Sequence, residues 1–218
     1  MKKIILTLCL VALAGCGVSY DGETRLISQL HITDSQGNPI PGLTVAVYVN
    51  DDSNSDFEDN SNPANGTTDA NGNSLIGFLA PEKSGGRIEI LVFEDRYNPI
   101  NYVNSEITNL RKRDFEGFRL PVNEITMYRP EEVVQLYIHF QQASNTRLVS
   151  ADLEGEFTTK RFNGYFNDPD NSDISIVAKR NQTVSVNYVV EDLSSGQQNQ
   201  QTTQITIGDQ TVETVINY

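Results

Sequence analysis

The chain reads as all-β, two consecutive antiparallel β-sandwiches, and three features of the sequence carry that expectation. Apolar residues recur with period two, the alternation of a half-buried strand. Short alternating segments are separated by Gly, Pro, Asn and Asp, which punctuate turns. No long stretch holds an apolar stripe at helical spacing.

The strands follow in order. Leu26, Leu30 and Ile32 fall on one face of a first strand, and Leu43, Val45, Val47 and Val49 on one face of the next. Further strands are expected over residues 73–79, 87–94, 117–122 and 124–129. The polar stretch 50–66 and the segment 95–116 leave the strand count between them open. Pro130 cannot donate a ladder hydrogen bond and breaks the pattern. After it, Val134, Leu136, Ile138 and Phe140 start a second set, continued by 149–157, 174–178, 183–191, 203–207 and 212–218. Residues 25–129 and 131–218 are thus expected to form one sandwich each. The polar run 194–201 reads as a solvated loop between strands. Gln29-Leu30-His31-Ile32 and Gln135-Leu136-Tyr137-Ile138 look alike, as a duplicated unit would, or as two first strands that share a pattern.

The N-terminus carries a different message. Met1-Lys2-Lys3 precedes an apolar run over residues 4–14, and the run closes on Leu13-Ala14-Gly15-Cys16. A basic start, a short apolar core and small residues before a cleavage point make a secretory signal, whereas a membrane-spanning helix needs about 20 apolar residues. The ending resembles the lipobox of bacterial lipoproteins. That resemblance implies removal of residues 1–15 as signal peptide and a diacylglyceryl group on Cys16, often with a further N-acyl chain such as palmitate. Stable anchoring takes more than one chain, which this modification would supply. Gly17 stands where an inner-membrane retention signal would place Asp, so the expected location is the outer membrane, with the periplasmic or the surface face left open. Residues 16–24 read as a lipidated tether with a reach of about 28 Å at roughly 3.5 Å per residue.

The net charge is −13, and it becomes −15 once the leader removes Lys2 and Lys3. Nucleic acid and anionic headgroups are poor partners for such a surface. Cys9 leaves with the leader and Cys16 takes the lipid, so stability is expected from burial, without disulfides.

The run from Leu30 through Asp34-Ser35-Gln36-Gly37-Asn38-Pro39-Ile40-Pro41-Gly42 to Val45, with Thr67-Thr68-Asp69-Ala70-Asn71-Gly72 further on, resembles the carboxypeptidase regulatory-like family. The resemblance covers roughly residues 26–129 and implies a transthyretin-like, broadly Ig-like, antiparallel sandwich. Gly37 and Gly42 suit special backbone angles, Pro39 and Pro41 stiffen the link, and Asn71-Gly72 favours a tight turn. The family's members are mostly accessory or interaction modules, so it implies no activity.

Catalytic patterns are sparse. His31 and His139 alternate away from the apolar faces and read as surface residues. Nucleophile-elbow, metalloprotease and phosphate-loop signatures are missing from the sequence. An isopeptide-forming sandwich of pilin type would want a lysine in the first strand, and residues 25–33 hold none. Asp52, Asn54, Asp56 and Asp59 place oxygen donors at near-alternating positions, a candidate Ca²⁺ loop, although the glycine of the sharp turn and a distant bidentate glutamate are missing. The other reading is a solvated acidic loop. The cluster over residues 168–173 reads as turn chemistry with a weaker claim to metal. Tyr48 and Tyr137 fall opposite the apolar faces and are candidates for stacking sugars, or for packing between sheets or domains.

The expected role is a non-enzymatic, membrane-anchored envelope lipoprotein that serves as an interaction or structural module, with an envelope protein or glycan as partner. The alternatives are a calcium-stabilised adhesin or glycan-binding surface lipoprotein and, further off, an envelope hydrolase using acidic residues.

Overall fold

A computed structural model describes residues 20–50, 61–122, 124–143, 145–162 and 173–218. The chain is all-β. Its first half runs β1 (Tyr20–Asp34), β2 (Thr44–Asn50), β3 (Ser61–Thr67), β4 (Asn73–Pro81), β5 (Arg87–Phe93), β6 (Ser105–Leu110) and β7 (Glu124–Met127). The second half runs β8 (Val133–Gln141), β9 (Thr146–Glu154), β10 (Thr159–Arg161), β11 (Asp173–Lys179), β12 (Gln182–Asp192), β13 (Gln198–Ile207) and β14 (Val212–Asn217).

Each half packs two sheets around its own core. In the first, the sheet β4-β1-β7 faces β6-β5-β2-β3; in the second, β11-β8-β14 faces β13-β12-β9. Alternation decides which residues meet between them. Leu26, Leu30 and Ile32 of β1 and Val45, Val47 and Val49 of β2 are all buried in one cluster with Ile88, Ile90 and Val92 of β5. Leu136 and Ile138 of β8 meet Val184 and Val186 of β12 in the other. Burying each such side chain stabilises by about 1.5–3 kcal/mol.

The two halves share a topology. β1 pairs antiparallel with β4 and parallel with β7, and β8 pairs antiparallel with β11 and parallel with β14. β5 lies between β2 and β6 as β12 lies between β9 and β13. The repeated tetrapeptide falls on equivalent positions: His31 opposes Asn73 and Glu124, and Tyr137 opposes Ser175 and Glu213. One member departs. β3 covers the edge of β2, but β10, at the corresponding place in the chain, leaves β9 and pairs parallel with β6 of the first half.

Several expectations need correction. Tyr20–Thr24 belongs to β1, with Tyr20 opposite Pro81 and the Asp21 carboxylate held by Lys112 and Thr24, so the expected tether is shorter by five residues. Residues 117–122 form no strand; they touch β1 through the single bridge Ile27–Arg119, because Gly117 and Phe118 take positive φ and Pro121 interrupts donation. β13 begins at Gln198, inside the run read as a loop. The break at Pro130 is one 3₁₀ turn, pinned where the Arg180 amide donates to the Glu132 carbonyl at 2.8 Å.

Two turns share the pattern Asp-x-x-Gly-Asn. Asp34 accepts from the amides of Gln36 and Asn38, and Asp69 accepts from those of Asn71 and Asn73. Both glycines of these turns, with φ +83° at Gly37 and +74° at Gly72, lie in the left-handed region. Glycine enters that region without the clash of a Cβ.

Candidate functional site

The place where the two halves meet is built from β10. Thr158, just before it, is buried and bonded to both halves: its amide donates to the Val177 carbonyl of β11 at 3.1 Å, and its carbonyl accepts from the Glu106 amide of β6 at 3.0 Å. The Ser105 hydroxyl donates to that same carbonyl at 2.6 Å. At the far end of β10, the Phe162 amide donates to the Thr108 carbonyl at 3.0 Å and the Asn109 side chain donates to the Phe162 carbonyl at 2.6 Å. Ser105 and Asn109 are buried polar residues of β6, and these bonds satisfy groups that would otherwise weaken a core.

Around this splice the polar groups are organised. Glu156 accepts from Tyr128 at 3.0 Å and from Lys179 at 2.7 Å. The Lys179 hydrogen bond holds the Glu156 carboxyl below its ordinary range, while burial and the Glu156 charge push the Tyr128 phenol up. The Gln182 side chain accepts from the Glu156 amide and donates to the Glu156 carbonyl, closing the corner.

A cavity of about 440 Å³ lies on one flank of β10, with Glu124, Thr126 and Tyr128 on one wall and Asp152, Leu153 and Gly155 on the other. A second, of about 410 Å³, lies on the other flank, between the outer face of the first half and Asp173–Ile176. The second holds Arg87, Glu89, Glu106 and Arg161. Burial, and then the charge of Glu106, raise the Glu89 carboxyl, while Arg87 and Arg161 oppose the shift. Such a mixed-charge cleft suits an extended polar segment or a sugar rather than a compact apolar ligand.

The residues singled out in the sequence are not gathered here. Cys16 and the four candidate calcium ligands Asp52, Asn54, Asp56 and Asp59 lie outside the described residues, as does the acidic cluster except for Asp173. Among the described residues no group of three or more His, Cys, Asp or Glu side chains is arranged to hold a metal ion. Tyr48 is capped: Arg96 lies 4.8 Å above its ring and donates to its hydroxyl at 2.7 Å, with the Tyr97 ring also against Arg96. The ring face that a sugar would use is therefore occupied. Tyr137, 37% exposed, stands on β8 of the other half. His31 pairs with Asn73, and His139 lies 3.1 Å from Asp173 and 3.3 Å from Glu213. The splice itself was not legible, because Thr159-Lys160-Arg161 has no apolar alternation.

No family model matches the chain, and no curated protein matches it. Solved structures do resemble it. The Bacillus anthracis TIE protein is 11% identical with a TM-score of 0.29, covering 89% of this chain, which spans about a third (34%) of that one. The minor pilin GBS52 of Streptococcus agalactiae is 12% identical, covering 88% and 94% of the two chains, with a TM-score of 0.28. The shaft pilin SpaA of Lactobacillus rhamnosus GG is 9% identical, covering 89% and 97%, with a TM-score of 0.31. Scores of this size carry no inference about what this chain binds or does. The β-sandwich assignment rests on the strand pairing of the chain itself.

Proposed function

We propose that the chain is a lipid-anchored envelope lipoprotein of the outer membrane that works as a non-enzymatic interaction or structural module, its two sandwiches held as one body close to the membrane. The observation that carries this reading is the splice. A strand from the second half completes a sheet of the first, so the outer half is presented at a set angle rather than on a loose linker. Domain pairs joined only by a linker are expected to move independently.

The lipobox-like Leu13-Ala14-Gly15-Cys16 supports the anchor. Only Gly17, Val18 and Ser19 separate Cys16 from β1. Four links at roughly 3.5 Å per residue give a reach of about 14 Å. The two Asp-x-x-Gly-Asn turns support a carboxypeptidase regulatory-like first half. The cleft beside β10, lined by side chains of both signs, is the surface offered to an envelope protein or glycan.

The test is fractionation with in-cell cross-linking. Wild type should stay in the membrane fraction through a high-salt wash and capture a partner through residues of the cleft beside β10, whereas Cys16→Ala should leave the membrane fraction or remain unprocessed. Equal membrane retention of Cys16→Ala would overturn the anchor. Turnover of a pooled ester or glycoside panel by the purified chain would overturn the non-enzymatic reading.

A further inference from the structure

The outer edge of β13 is the least guarded strand edge in the described chain. β13 closes the sheet β13-β12-β9, and among the described residues no strand pairs with its far side. Its ten residues match β12 one for one from Gln182–Ile207 to Glu191–Gln198 without a register shift, which leaves a straight template of backbone groups. Soluble proteins blunt such edges with charge, proline, bulges or a covering loop. β13 lacks charge, proline and bulge: Gln197 through Ile207 contains no charged residue, no Pro and no Gly, in a chain of net charge −13, and its pairing with β12 has no register shift.

The other outer strands differ. β9 carries Arg147, Asp152 and Glu154 and meets β12 through a register shift. Charges lie on β7, β10, β11 and β14. β4 holds Gly77 and Pro81, and β3 holds Pro63 and Gly66.

We infer that the outer edge of β13 is a self-association surface, on which a second copy of this chain lays its own β13 antiparallel about a twofold axis. Charge selects the occupant. Most surfaces of an acidic chain repel their own copies, and this edge is a neutral one on which two identical chains can meet without that cost. The side chains are self-complementary as well. A register centred on Thr202 places Thr202 opposite Thr202 and Gln200 opposite Gln204, all on the exposed outward face. Within its own sheet Thr202 donates to Asn187 at 2.7 Å and Gln204 donates to Ser185 at 2.8 Å, which holds both side chains in place, and the Gln204 side-chain oxygen is left to accept from the Gln200 amide of an identical strand. Twofold pairing of one edge with itself closes after two copies, giving a six-stranded sheet with β9 at both ends rather than an open fibre.

The test is density-matched sedimentation equilibrium on the full chain in detergent micelles. Three proteins are needed: wild type, Gln200→Lys with Gln204→Lys, and Gln200→Glu with Gln204→Glu. Wild type should show twice the mass of a single chain at raised concentration. Each charged variant alone should lose the dimer, and mixing the two should restore it, an outcome that misfolded variants could not give. A wild type of single-copy mass at every concentration would overturn the proposal. So would charged variants that pair as wild type does, or a mixture that stays single.

Discussion

Gly72 and Gly37 occupy the same position in two turns of one pattern with nearly the same φ, so they make a controlled pair. A methyl group added at Gly37 meets nothing within 4 Å. Gly37→Ala therefore measures the left-handed backbone alone, a cost of about 1–2 kcal/mol. The same methyl at Gly72 would lie 2.4 Å from the Ile32 carbonyl oxygen and 3.1 Å from Pro39 Cβ, and that carbonyl belongs to backbone of the central strand. The Ile32 amide also donates to the Gly72 carbonyl at 2.8 Å. The turn thus cannot back away without breaking a bond of about 1 kcal/mol. Gly72→Ala should cost about 3–4 kcal/mol, near the upper end for single substitutions. At roughly 2–4 °C per kcal/mol for a chain of this size, Gly37→Ala should lower Tm by about 2–8 °C and Gly72→Ala by about twice that or more. Thermal melts followed by circular dichroism read both. Equal shifts for the two variants would refute the argument that a backbone collision, over and above positive φ, dictates glycine at position 72.

Ser28 and Ser74 bury hydroxyls that have no hydrogen-bond partner among the described residues. Ser28→Ala should therefore leave stability unchanged or raise it by about 1 kcal/mol in a denaturant titration, and a loss of that size would mean the hydroxyl is paired. Stability should fall in acid: Asp34, Asp69 and Asp192 are held below their ordinary values by hydrogen bonds from their turns, so their contribution is full above the usual carboxylate range and lost as pH drops through the folded values. Glu89 runs the other way, raised by burial, and its contribution fades as pH climbs through its folded value. The lowered carboxyls, which also include Asp21, Glu94 and Glu156, outnumber Glu89, so Tm falls between roughly pH 5 and pH 2 in melts across that range, and a flat Tm would contradict it. For the candidate calcium loop, a site with a dissociation constant of about 10⁻³ M gains about 1.4 kcal/mol at roughly 10 mM ion. That is an increase of about 3–6 °C at the same roughly 2–4 °C per kcal/mol. Asp52→Asn with Asp56→Asn should abolish it, and a magnesium effect of equal size would reduce the loop to a solvated connection.

Much of the fold could be read from alternation, because burial between two sheets imposes period two on every strand that spans a core. Val45-Ala46-Val47-Tyr48-Val49 and Leu136-Tyr137-Ile138-His139-Phe140 leave no other reading. The strands that escaped are those whose inward positions are polar or whose partner is remote. β6 alternates Ser105, Ile107 and Asn109, and only the carbonyls of Thr158 and Phe162, some fifty residues on, make two of those residues acceptable in a core. β10 has no core face of its own. β13 shows its apolar face only at Ile205 and Ile207; Gln198–Thr202 is polar and exposed although it pairs with β12 beside Tyr188 and Val190 of the core, so the early part looked like a loop. The candidate site was hidden for the same reason: it is a splice between halves, and local periodicity does not record a partner in another unit.

The splice is also where the account is most exposed. Backbone ¹⁵N relaxation on the full chain compares the tumbling of amides in the two cores, for instance Val47 and Val92 against Val186 and Ile176. If Thr158 and β10 lock the halves together, both sets report one overall rotational correlation time and one diffusion tensor, and the Glu106 and Phe162 amides are protected from exchange. Two distinct correlation times, with those amides exchanging as freely as exposed loop, would contradict the claim that this chain presents its second sandwich as part of a single body.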